Sequence, residues 1–317
     1  MSSKSAPHDS LRREIGQMTE LVRRAAPSAA GGGTETALPL RSLIAQLQAV
    51  RQVEPIRLFK HFACTGGTIM SKCLAAMPNT VLLSEMDPLS LNYMSSPSKF
   101  APSDLIKQMR YSRHDLSDAL AIDIFCAGLG TLQEALTDQG KRLVLREHSH
   151  SQYCTAADWT ARQTVEQIVA RDHPVLPLLS VRHPLASFMS LRHNGWDAFT
   201  PGTLEEYARR YLAFLDANAT CPIVYYEDFV EAPETVLENM CRSLELSYDA
   251  AAPSLVMAIT MSGDSGRSGN EIAARPSRTV PPDLAEAADT GPTYRELCRR
   301  LRYPLLPDAA PVALDGA

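Results

Sequence analysis

Four short stretches of the sequence carry residues whose types and spacing could do chemistry. The first is Ala63-Cys64-Thr65-Gly66-Gly67-Thr68, two glycines between two threonines where an apolar run gives way to a helical pattern. Glycine lets backbone approach an anion closely, the N–H groups of a helix start point toward it, and threonine hydroxyls add donors. It is not a Walker A loop, because no lysine follows Gly67 at the spacing G-x-x-x-x-G-K-[ST] demands. The second stretch is Arg182-His183-Pro184 with Ser190 in the helix that follows. An arginine at the exit of an apolar strand can grip a phosphate by two parallel bonds. The third is Arg146-Glu147-His148, a cation and an imidazole at the end of another apolar run, and the fourth is Glu85, a carboxylate closing TVLLSE. A plainer role stands beside each: an ordinary Gly-rich turn for the loop, a surface ion pair for Arg182, and a helix-surface hydroxyl for Ser190. Glu85 would then be a cap or ion-pair partner, and His148 a strand-end histidine bonded to backbone, with His150 competing for its role.

These residues need strands and helices to position them, and the chain alternates the two. IRLFKHFA (56–63), TVLLSE (80–85), KRLVLREH (141–148), VLPLLSVRHP (175–184) and PIVYYED (222–228) read as strands, with Pro177 awkward in mid-sheet. Helical patterns cover 67–77, two stretches of 103–138, 155–172 with Thr155 or Asp158 near its cap, 203–219, and 233–246 with Pro233 in its first turn. Alternation of this kind predicts an α/β fold, a three-layer sandwich with a mostly parallel central sheet covered on both faces. The Gly66-Gly67 loop then falls at the carboxyl end of the first strand, where such sheets bind ligands. Ahead of this domain (55–303), residues 1–54 read as a helical extension and flexible linker. Leu11, Ile15, Met18, Leu21 and Val22 are at helical spacing before a Gly-rich run. Residues 304–317 read as a disordered tail.

Composition narrows the partners. At 317 residues with 45% hydrophobic and 21% charged side chains, the chain can bury a sizeable core. A net charge of −5 argues against nucleic acid or an anionic membrane surface, so any anion must be held by local groups. Seven scattered cysteines without a C-x-x-C pair predict reduced thiols and a cytoplasmic setting, and no uninterrupted apolar run predicts a membrane span.

Taken in order, these stretches resemble the nucleotide-dependent sulfotransferase superfamily, over roughly residues 56–302. Its loop [KR]-x-G-[TG]-[TS] is similar to Thr65-Gly66-Gly67-Thr68, and its R-x-P-x(5)-S to Arg182, Pro184 and Ser190. IVYYEDFVEAPETVLENMCRSLEL resembles a late structural block, which implies structural roles for Glu227 and Asp228. GDSGRSG resembles the loop that closes over the adenosine end of the donor, marking Gly266 and Arg267. The resemblance implies a P-loop-like sulfotransferase fold and a sulfotransferase activity. The co-substrate would be 3′-phosphoadenosine 5′-phosphosulfate and no metal would be needed. The acceptor would be a hydroxyl or amine of a small molecule, carbohydrate or lipid, with a homodimer possible. Gly67 to Glu85 is similar to the tyrosylprotein branch, implying Glu85 as base. Arg146-Glu147-His148 stands where the cytosolic branch has K-T-H, implying His148 as base and Arg146 near the bridging oxygen.

One departure from the family pattern is sharp. The loop's leading cation is replaced by Cys64. Arg146 is the expected substitute, Lys72 the poorer one because it is expected along the helix surface, and nothing local lowers the Cys64 pKa to make it a nucleophile. Loss of the cation also fits a nucleotide-binding or interaction module without catalysis, while a Walker-type kinase lacks its motif. Met86, Tyr93, Met94, Phe100, Tyr111, Trp196 and Phe199 are candidates for an apolar acceptor site.

Overall fold

Alternating apolar runs order the chain around one sheet. A computed structural model describes residues 53–95, 101–114, 116–263, 272 and 278–307. The expected helices before residue 53, the tail beyond 307, Phe100, and Gly266 and Arg267 lie outside the described residues. Strands β1 (Ile56–His61), β2 (Thr80–Met86), β3 (Arg142–Glu147), β4 (Val175–Val181) and β5 (Ile223–Tyr225) pair in the order β2-β3-β1-β4-β5. Every pairing is parallel. The helices are α1 (Gly67–Ala75), α2 (Leu105–Arg110), α3 (Asp118–Asp138), α4 (Ser149–Tyr153), α5 (Val165–Val169) and α6 (Pro184–His193). After these come α7 (Leu204–Ala217), α8 (Tyr226–Glu231), α9 (Pro233–Ser243), α10 (Ala252–Leu255), α11 (Pro282–Thr290) and α12 (Pro292–Leu301).

Successive strand side chains point to opposite faces, and the strands are apolar on both. On one face Ile56, Leu58, Leu143 and Leu145 pack against Leu129 and Leu136 of α3 and Val165 and Val169 of α5. Further along that face, Phe62, Leu179 and Val181 meet α6, α7, α11 and α12. The other face sets Phe59, Val144 and Leu178 against α1, α8 and α9. The result is the three-layer α/β sandwich, with a sheet that is parallel throughout. Helix α3 is long and apolar enough to cross a membrane by length and composition, with mean hydropathy 1.4 over its most apolar window; here Leu129 and Leu136 pack one side of it against β3.

Alternation also sorts the charges. Lys60 and Glu147 fall on the α3 face, where the Lys60 ammonium, 1% exposed, pairs with Glu166 at 2.6 Å and Glu147 at 3.6 Å. His61 and Arg146 fall on the α1 face. The same logic accommodates Pro177. The Leu179 N–H reaches toward β5, bonding Pro222, so the nitrogen of Pro177, two residues earlier, faces the same side. Strand β5 pairs only from Leu179 onward. The missing donor therefore falls where no strand asks for it.

Two expected elements are corrected. No helix spans 155–172: α4 ends at Tyr153 and α5 begins at Val165, because Thr164 and Gln167 form a capping box that starts the helix there. Between them Arg162 pairs with Asp87 and Trp159 lies under the guanidinium groups of Arg209 and Arg210. The fifth strand stops at Tyr225, and Tyr226, Glu227 and Asp228 belong to α8. Glu227 has a structural part there, its Oε1 accepting from the His183 N–H at 3.1 Å and its Oε2 from the Tyr303 hydroxyl.

Phe62 closes β1 and stacks on Tyr211 with centroids 4.4 Å apart and planes 6° from parallel, in a core it shares with Tyr207 and Phe214. Phe62→Ala should cost roughly 3–5 kcal/mol of unfolding free energy in urea titration. A loss under about 1 kcal/mol would show that β1 is not anchored by this ring.

Candidate active site

The loop after β1 is built by its backbone. Thr65 folds back on the strand end, its hydroxyl donating to the Phe62 carbonyl at 2.7 Å, while Cys64 and Gly66 take φ of 64° and 88°. Gly66 precedes α1 with no side-chain cap, so the first N–H groups of α1 open outward from the loop. Both glycines are also fixed by neighbours: a Cβ at Gly66 would enter the ring of Tyr226, and one at Gly67 the ring of His61.

The loop borders a cavity of about 580 Å³ at the carboxyl ends of β1, β3 and β4. Gly66, Gly67, Thr68, Glu85, Arg146, His148, Arg182 and Ser190 all line it. Thr65 does not: it is fully buried, and its hydroxyl is spent on Phe62, so its expected role as a ligand donor is corrected to a structural one. Lys72 is a second correction. It was expected along the helix surface, yet it is 6% exposed and lines the cavity. Among the described residues the lining holds the cations Lys72, Arg146, Arg182 and Arg278 against one carboxylate, Glu85.

Arg146 is the hub. Its guanidinium, on a residue 4% exposed, donates from Nε to His61 Nε2 at 2.9 Å and from one terminal nitrogen to Thr68 Oγ1 at 3.1 Å. The other terminal nitrogen reaches Ser84 Oγ at 3.0 Å and Glu85 Oε1 at 2.8 Å. Glu85 can meet it because β2 carries an irregularity between Leu83 and Met86, with Glu85 at φ 61°. A bulge of this kind re-aims one side chain out of the strict alternation. The other carboxylate oxygen of Glu85 lies 3.2 Å from His148 Nε2. The two candidate bases are thus one dyad.

Their protonation follows from burial. Burial pushes the Glu85 carboxyl above its ordinary range, with Arg146 opposing. Burial, then His150, pushes His148 down to about 4, so it is a neutral imidazole beside the Glu85 carboxylate. His61 is held lower still, at about 3, by burial and by Arg146. Gly263 closes over the dyad: its carbonyl accepts from Thr68 Oγ1 at 3.3 Å, and a Cβ there would enter the Glu85 carboxylate. Ser84 and Ser262 exchange hydroxyl-to-carbonyl bonds at 2.9 and 3.0 Å beside it.

At the far end of the loop, Arg182 donates to the Cys64 carbonyl at 3.2 Å and lies over the Tyr226 ring at 4.8 Å. The Cys64 thiol faces Ser190 and Asn194, and burial raises its pKa, so it is a protonated thiol and not a nucleophile. Arg278 donates to the Met189 carbonyl at 3.3 Å and lines the same end. Of the expected acceptor residues, Trp196 lines the cavity, 42% exposed. Phe199 is buried in the core, Met86 packs behind β2, and the Tyr111 hydroxyl bonds the Met94 carbonyl. His61, Tyr226 and Arg278 were not singled out by the sequence, and all three line the cavity. Alternation from Phe59 would have placed His61 on the site's face; for Arg278 no sequence signal exists.

Neither a family model nor a curated relative matches the chain. Among solved structures it is similar to the sulfotransferase domain of the curacin biosynthetic pathway: 15% identical, covering 81% of this chain and 100% of that one, TM-score 0.44. The sulfotransferase domain of the Synechococcus PCC 7002 olefin synthase is similar at 15% identity, 80% and 97% coverage and TM-score 0.43. A thymidylate kinase from Candida albicans is similar at 17% identity, 62% and 96% coverage and TM-score 0.33. Likenesses of this extent are similarities alone, and what the site does must come from its own side chains.

The geometry yields a stability test. Above pH 6.5 the neutral form of His61 matches both states, and stability is fully present. As pH falls toward 3 the unfolded chain takes up a proton that folded His61 refuses. Each unit in that window should cost about 1.4 kcal/mol from this group alone. Urea unfolding between pH 6.5 and 4.5 should show the fall, and His61→Gln should make it shallower by that amount, leaving the part contributed by His148, which is also held low. An unchanged slope in the variant would mean that His61 does not refuse the proton.

Proposed function

We propose that the chain is a sulfotransferase that moves a sulfuryl group from 3′-phosphoadenosine 5′-phosphosulfate to a hydroxyl or amine of a small-molecule, carbohydrate or lipid acceptor. One observation carries the reading. A single cavity joins an uncapped helix start at Gly67-Thr68, a buried arginine beside it, an Arg182–Ser190 pair at its other end, and a carboxylate–imidazole dyad. The donor set fits the co-substrate. The α1 N–H groups, Thr68 and Arg146 suit the phosphosulfate, and Arg182, Ser190 and Arg278 suit a second phosphate held apart from it.

When bound, the co-substrate supplies a sulfuryl group already activated as a mixed anhydride. Glu85 takes the proton of the acceptor hydroxyl or amine as the new O–S or N–S bond forms. The S–O bond to the phosphate breaks, and its electron pair stays on that oxygen, where Arg146 offers charge-assisted donors. Glu85 is the better base of the two because burial raises its carboxyl toward the working range, while burial holds the His148 imidazole at about 4, a weak base. Arg146 takes the cationic part that Cys64 vacates. Binding without turnover would instead favour a nucleotide-binding module, the reading that Cys64 itself supports.

Titration with 3′-phosphoadenosine 5′-phosphate, ADP and ATP tests the assignment. Tighter binding of the 3′-phosphorylated nucleotide is expected, with Arg182→Ala weakening it about 10- to 100-fold. Equal affinity for all three nucleotides would sink it. In a transfer assay Glu85→Gln should lower kcat about 10²- to 10⁴-fold, and His148→Gln less. The acid limb of kcat should lie above the ordinary carboxylate value of about 4.3, since the base works ionised and its pKa is raised. Arg146→Ala should abolish turnover, whereas Cys64→Ala, whose partner Arg182 bonds only the backbone carbonyl, should stay within about threefold.

A further inference from the structure

An arginine that replaces a loop cation is useful only if its guanidinium is held at one angle, because its five N–H groups lie in a fixed plane. Thr68, Ser84 and Glu85 take the outer nitrogens of Arg146, and all three border the cavity or the residues over it. The inner nitrogen, Nε, has a different kind of partner. His61 Nε2 receives it at 2.9 Å from a residue that is 8% exposed and two positions along β1 from Phe59, the register partner of Arg146.

The hydrogen bonds leave His61 no choice of state. Its Nδ1 lies 3.0 Å from the Phe62 carbonyl, which can only accept, so Nδ1 carries the proton. Its Nε2 faces the Arg146 N–H, which can only donate, so Nε2 carries the lone pair. An imidazolium would set a donor against a donor and a cation against a cation. With both nitrogens committed, His61 has no lone pair for an acceptor proton, although it lines the cavity. Its ring also lies against the Cα of Gly67, closely enough that a Cβ there would enter it. The imidazole therefore touches the loop and the arginine together.

We propose that His61 is a positioning residue for the transfer reaction. Its Nε2 presets the Arg146 guanidinium against Thr68 and the start of α1, which is how a chain with Cys64 at the loop's cationic position keeps a charge beside the leaving oxygen. The proposal rests on the transfer reading above, and its test separates the two.

Nitrogen-15 NMR of the histidine-labelled full chain needs no turnover. His61 should show a protonated Nδ1 and an unprotonated Nε2 from pH 7 to pH 4.5. Arg146→Ala should shift its Nε2 resonance toward that of an unbonded nitrogen. An Nε2–H tautomer, or protonation near pH 6, overturns the proposal. In the transfer assay His61→Leu fills the space without an acceptor and should lower kcat on the order of 10²-fold, with the nucleotide KM within about threefold. His61→Gln restores an acceptor oxygen and should recover most of that loss. With Arg146→Lys as the second mutation, the losses should be far from additive. Equal loss in His61→Leu and His61→Gln, or additive losses with Arg146→Lys, overturns the proposal even if the wild type turns over. A wild type that shows the expected NMR state and never turns over sinks the transfer reading while the hold of His61 on Arg146 stands.

Discussion

Burying the Arg146 guanidinium is the constraint from which the site follows. A charge taken out of water costs several kcal/mol unless every edge of it is bonded. Arg146 sits at the end of β3, 4% exposed, and no single neighbouring element could satisfy it. Strand β1 supplies His61, the first turn of α1 supplies Thr68, and β2 supplies Ser84 and Glu85. The β2 irregularity and the positive φ of Glu85 are the local cost of that closure. Once Glu85 is turned onto Arg146, its second oxygen meets His148 just past the end of β3, and the dyad is assembled.

Strand alternation then keeps the cavity positive in an acidic protein. Arg146, Glu147 and His148 are consecutive, and their neighbour charges would cancel if they shared a face. Glu147 instead turns to the α3 face and is answered there by Lys60, itself next to His61 in β1. Each strand end thus sends one charged or polar group to each face, carboxylate with ammonium below and guanidinium with imidazole above. The cavity is left with Lys72, Arg146, Arg182 and Arg278 facing Glu85. Local placement, and not the net charge of −5, makes the site anion-seeking.

Much of this was legible in the sequence because much of it is local. The apolar runs of β1, β3 and β4 and the Gly66-Gly67 turn are patterns within ten residues, as is the spacing from Arg182, just ahead of α6, to Ser190 on it. Gly66, Gly67, Arg182 and Ser190 all line the cavity. What escaped depends on contacts across the fold. A helical pattern over 155–172 was overridden by Arg162 pairing with Asp87 and by Trp159 under Arg209 and Arg210. The YYED run, strand-like by composition, turns into α8 because Glu227 is claimed by His183 and Tyr303. Lys72 was assigned to the surface because a lysine on a short helix usually is solvated, whereas its turn of α1 faces the cavity.

Cys64 illustrates how far a motif can be broken while its geometry is kept. Its carbonyl still receives Arg182, its φ of 64° still bends the loop, and its protonated thiol sits neutrally between Ser190 and Asn194. A cation in that place would join Lys72, Arg146, Arg182 and Arg278 in the lining, with Glu85 the one carboxylate opposing them among the described residues. Without it the repulsion within the cavity is lower, and in the proposed reaction charge stabilisation falls to Arg146, whose guanidinium is already bonded to His61, Thr68, Ser84 and Glu85. A flexible lysine on a loop must be ordered as the anion binds, while a guanidinium bonded on each edge has met that cost in folding. The substitution at Cys64 and the bonded cage around Arg146 are in this sense one arrangement, with the charge shifted from the loop to the strand behind it.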